Sequence, residues 1–66
     1  MNLNSKVETI KAVIRGYFSI ELMKLPNQKY CIHWETQGES FTTKDISDLN
    51  IAMNYFDDML IMIEGN

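Results

Sequence analysis

Cys31, His33 and Glu21 are the residues whose types could do chemistry together. A cysteine and a histidine two apart on a strand project from the same face. The hairpin pairing derived below sets Glu21 opposite His33. Thiol, imidazole and carboxylate are the parts of an activated nucleophile or of a metal site. The spacing argues against both. Side chains two apart on a flat strand are usually too distant for the hydrogen bond that activates a thiol, and no oxyanion pocket accompanies them. A metal would want a second pair of ligands, which the sequence does not supply. Asp57 and Asp58 are adjacent on a helix, so their carboxylates diverge rather than converge on a substrate. The three glycines are too scattered to cradle a phosphate. The reading is therefore a non-enzyme with no catalytic residue, cofactor or metal, in which Cys31 sits on a solvent-facing strand. Thiol or metal chemistry at Cys31 and His33 stands as the second alternative.

With chemistry set aside, architecture carries the argument. Sixty-six residues are one domain, 1–66, and one cysteine excludes a disulfide framework. A chain this short buries only about 60% of its unfolded surface, so oligomerisation is the expected staple. At 45% hydrophobic and 23% charged residues it reads as folded. The first residues lack the apolar region of a signal peptide. The longest apolar run, Met59 to Ile63, is far below the roughly 18 residues of a membrane span. The expectation is a cytoplasmic protein with no membrane partner.

Ile46, Leu49, Met53, Phe56, Leu60 and Ile63 recur at steps of three and four, which predicts an amphipathic helix over 45–64, about 30 Å long. Thr43, Asp45 or Ser47 is the expected N-cap and Gly65 the C-cap. Residues 17–36 predict a hairpin. Phe18, Ile20 and Leu22 alternate with Tyr17, Ser19, Glu21 and Met23, and Tyr30, Ile32 and Trp34 with Cys31, His33 and Glu35, around Pro26-Asn27-Gln28. A three-residue loop pairs Leu25 with Lys29, Leu22 with Ile32 and Ile20 with Trp34, so both apolar sets share a face. A two-residue loop would split them.

Residues 6–16 admit two readings. As a strand, Ile10, Ala12 and Ile14 join the core face, Ile14 pairing with Phe18 around Arg15-Gly16-Tyr17. The β-branched content favours this. As a helix over 5–15, Leu3, Val7, Ile10 and Ile14 form a stripe behind a Ser5–Glu8 capping box. Ser40-Phe41-Thr42 is a possible short edge strand. The fold class expected is α+β: a small antiparallel sheet of three strands, with room for a short fourth, packed on one long C-terminal helix (β-β-β-α; the alternative is α-β-β-α). The expected core is Ile10, Ile14, Phe18, Ile20, Leu22, Ile32, Trp34, Leu49, Met53, Phe56 and Leu60.

On the helical wheel, Ile51, Tyr55 and Met62 lie nearly opposite the core stripe, with Met59 widening the patch and Asp58 beside it. A small sheet covers one helix face, not two. These five residues are the expected partner or dimer interface. Charge is divided as well: residues 1–30 carry net +3 and residues 31–66 net −6, leaving −3 overall. Lys11, Arg15, Glu21 and Glu35 are expected together on the outer face of the sheet. The function expected is that of a small acidic protein-binding protein, a homodimeric inhibitor or adaptor of the kind encoded by phages and mobile elements. It would bind through the helix and its acidic surface. The alternative is a nucleic-acid-associated accessory protein using the basic half, for which Lys11, Arg15, Lys24 and Lys29 would have to cluster.

Overall fold

The computed structural model describes residues 6–65. Four strands, β1 (Glu8–Ile14), β2 (Phe18–Lys24), β3 (Tyr30–Thr36) and β4 (Glu39–Thr42), precede one helix, α1 (Leu49–Glu64). The strands form a single antiparallel sheet in chain order, and α1 packs against β2 and β3. This is the expected α+β arrangement with the short fourth strand present.

The central hairpin follows the hydrophobic arithmetic. Leu22 pairs with Ile32 and Ile20 with Trp34, and the Leu25 N–H donates to the Lys29 carbonyl at 2.7 Å. Within the loop, the Gln28 N–H donates to the Leu25 carbonyl and the Asn27 side chain accepts from the Lys29 N–H. Gln28 closes the turn at φ 70°, a left-handed conformation unusual for glutamine. At the next turn the same requirement falls on Gly38, at φ 86°, where a side chain is absent.

β1 is a strand, which overturns the helix reading over Glu8–Ile14. Leu3 and Ser5, on which that reading also leaned, lie outside the described residues. The register of β1 departs from expectation partway along. Glu8 pairs with Lys24 and Thr9 with Met23, as a three-residue Arg15-Gly16-Tyr17 loop would dictate. Ile10 then forms a bulge without a partner. From Lys11 onward the pairing has slipped by one: Lys11 meets Leu22, Val13 meets Ile20 and Ile14 meets Ser19. The turn accordingly has two residues, with the Arg15 N–H donating to the Phe18 carbonyl at 2.8 Å. A one-residue slip exchanges faces. Val13 and Lys11 now lie on the helix side, and Ile14, expected in the core, is 75% exposed. Ile10 is exposed as well.

α1 starts later than its apolar stripe suggests. Ile46 is not helical; it forms a β-bridge with Tyr30, each N–H donating to the other's carbonyl at 2.7 Å. Asp48 is the N-cap rather than Thr43, Asp45 or Ser47. Its carboxylate accepts from the backbone N–H groups of Asn50 and Ile51. The sixteen helical residues span about 24 Å. Gly65 caps the C-terminus as expected but at φ −76°, without the left-handed turn. A side chain there would put Cβ 2.5 Å from the Ile61 carbonyl oxygen.

The core comprises Phe18, Ile20, Leu22, Ile32, Ala52 and Phe56, flanked by half-buried Val13, Trp34, Met53, Leu60 and Ile63. Fully burying side chains such as Phe56, Ile20, Leu22 and Ile32 contributes about 1.5–3 kcal/mol each. Ala52 is completely buried while Leu49, expected in the core, is exposed. The helix is thus rolled toward Ala52, whose small side chain lets the backbone approach the sheet.

Candidate interaction surface

The groups with chemical potential are not assembled. Cys31 is buried, not solvent-facing. Past β4 the chain continues beside β3, the Thr43 N–H donating to the Ile32 carbonyl and Ile46 bridging Tyr30. Burial pushes the thiol pKa up, and the nearby carboxylates of Asp45 and Glu21 add to the effect. That is the reverse of the shift an activated thiol needs. The His33 ring is engaged elsewhere, with Nδ1 2.7 Å from the Thr42 hydroxyl and Nε2 3.1 Å from the Glu35 carboxylate. Glu21 lies opposite His33 in register, but its carboxylate accepts from the Thr9 hydroxyl. Among the described residues no three His, Cys, Asp or Glu side chains are grouped to hold a metal ion.

The charges are paired across the two layers. Lys11 and Arg15, expected on the outer face with Glu21 and Glu35, reach the helix instead. Lys11 Nζ lies 3.4 Å from Asp57 Oδ1, and Arg15 Nε donates to Glu64 Oε2 at 2.8 Å. The slip in β1 explains this, because it turns Lys11 toward α1. The basic half and the acidic half of the sequence are therefore partly each other's counter-charge. Arg15 stands at the Phe18 end of β2 and Lys24 at the other, so the four bases named for a nucleic-acid footprint do not all cluster.

With the β1 side of α1 occupied by these pairs, the other flank rises over β3, β4 and residues 43–46. Ile51, Tyr55 and Met62 are 51%, 53% and 70% exposed, and Asp58 is exposed beside them. Met59 is half-buried and packs on the core, forming the base of the patch rather than its surface. Tyr55 is shared by two shallow depressions. One is formed with Ile51, Asn54 and Asp58, the other with residues 43–46. A third, of about 130 Å³, is lined by Trp34, Met59, Met62 and Ile63.

Two aromatics outside the expected interface enlarge it. Trp34 and Phe41 are cross-strand partners with rings stacked at 4.8 Å, and Phe41 is exposed. The signal for this lay in the tight Gln37-Gly38 turn, whose register sets Phe41 opposite Trp34. No helix among the described residues is long and apolar enough to cross a membrane. Comparisons of the chain with protein-family models, with curated proteins and with solved structures each find no match.

Proposed function

We propose that this chain is a non-enzymatic protein-binding module, of inhibitor or adaptor type, that engages a partner through the β4-side flank of α1. The observation that carries this reading is the exposure of Ile51, Tyr55 and Met62 on one flank of a helix whose other flank is tied to β1. Large apolar side chains gathered on one surface mark interaction sites more often than scattered ones do. Methionine adapts its shape to a partner, and tyrosine brings contact area with a polar tip.

The test compares partner capture by the wild-type chain and by an Ile51→Asp/Met62→Asp variant, with folding checked by circular dichroism and thermal melting. A protein held by the wild type and lost by the folded variant supports the reading. Identical captures by both would exclude this flank.

A further inference from the structure

We infer that the flank of α1 is self-complementary and takes a second copy of the chain, with the two helices antiparallel about a two-fold axis level with the Phe56–Asp57 peptide. This rests on the flank being an interface, and it names the occupant. Ile51, Tyr55, Asp58 and Met62 follow one another at steps of four, three and four, the ridge by which two helices pack at a shallow angle. In the antiparallel arrangement Ile51 faces Met62 of the second copy and Tyr55 faces its Asp58. The contacts are formed twice, as a two-fold axis requires. Apolar meets apolar at both ends, and between them a phenol hydroxyl donates to a carboxylate. A parallel pairing would instead set Asp58 against Asp58, like charge on like.

Charge favours the pairing further. Of the three acids within α1, Asp57 and Glu64 already hold Lys11 and Arg15 on the far flank. Only Asp58 approaches the second helix, and there it has a donor. The depression lined by Trp34, Met59, Met62 and Ile63 lies where Ile51 of the second copy arrives. The ridge from Ile51 to Met62 is about 17 Å long, so the contact is a small one. Dissociation in the range of roughly 1–100 µM is expected.

Sedimentation equilibrium of the full chain up to about 1 mM decides the matter, with charge exchange as the register test. Wild type should dimerise. Tyr55→Glu sets a carboxylate against Asp58 of the second copy and should weaken the dimer about tenfold or more. Tyr55→Glu with Asp58→Lys should recover most of that loss. A Tyr55→Glu chain that fails to fold is replaced by Tyr55→Asp with the same rescue. A wild-type chain monomeric throughout overturns the second copy as occupant, while the capture experiment still judges the flank itself. A dimer unaffected by Tyr55→Glu, or not rescued by Asp58→Lys, overturns the register.

Discussion

Lys11 Nζ lies 3.4 Å from the Asp57 carboxylate and 5.1 Å above the ring centroid of Phe56, so one ammonium caps both a surface acid and the largest core residue of α1. Both charged side chains are roughly half exposed, and the ion pair alone is worth little, about 0.5 kcal/mol or less. The contact over the ring adds about 0.5–1 kcal/mol. Lys11→Met should be nearly neutral in a thermal melt because it keeps the apolar stem. Lys11→Glu should cost about 1–2 kcal/mol by also repelling Asp57, and Asp57→Lys in that background should restore part of it.

Ala52 is completely buried on the sheet-facing side of α1. Ala52→Leu forces larger atoms into a filled contact and should destabilise by about 1–3 kcal/mol. Each kcal/mol lowers Tm by about 4–8 °C in a domain of this size. Asn54→Leu, on the exposed side, should leave Tm nearly unchanged. Equal effects at the two positions would mean that the helix is not rolled as described.

The cap assignment separates neighbouring residues. Asp48→Ala removes the acceptor for two backbone N–H groups and should cost about 1 kcal/mol, with Asp48→Ser recovering most of it. Ser47→Ala should leave the denaturant midpoint in place. The reverse ranking would move the helix start.

Cys31 predicts an alkaline dependence of stability. Its folded-state pKa is raised, chiefly by burial and then by Asp45 and Glu21, so the fold favours the neutral thiol. That contribution is complete below the pKa of the unfolded thiol, about 8.5, and is lost as pH rises from there through the folded value. Denaturant midpoints of the wild type should fall above that pH relative to those of Cys31→Ala. A disulfide reagent at pH 8 should react slowly with the folded chain and rapidly in denaturant. Fast labelling of the folded chain would contradict the burial.

Elements whose faces differ sharply in polarity were legible from sequence. The β2–β3 hairpin was readable to its loop length, because a two-residue loop would put Leu22 and Ile32 on opposite sides. β1 was readable as a strand but not in register. Its apolar set, Ile10, Ala12 and Ile14, competes with Val13, and the bulge at Ile10 switches which set faces α1. Periodicity within a strand contains no such information. Ile46 fitted the helical stripe equally well as a bridge to Tyr30, since one apolar residue satisfies either element. The exposed flank of α1 was visible on a helical wheel, whereas its continuation through Trp34 and Phe41 depends on the Gln37-Gly38 turn.

The bulge at Ile10 and the helix-facing lysine beside it bear on what the open edge of the sheet can do. β1 is an outer strand, and among the described residues nothing pairs with its free side. An open seven-residue edge would ordinarily recruit further strands and extend into fibrils. Here an incoming strand meets a broken hydrogen-bond repeat and a helix-facing ammonium, while at the opposite edge β4 offers only four residues. Deleting Ile10 should straighten the repeat and produce thioflavin-positive fibres on agitation; an unaltered lag time would deny the bulge this role. The irregular strand thus acts as a stop against edge-to-edge growth of the sheet.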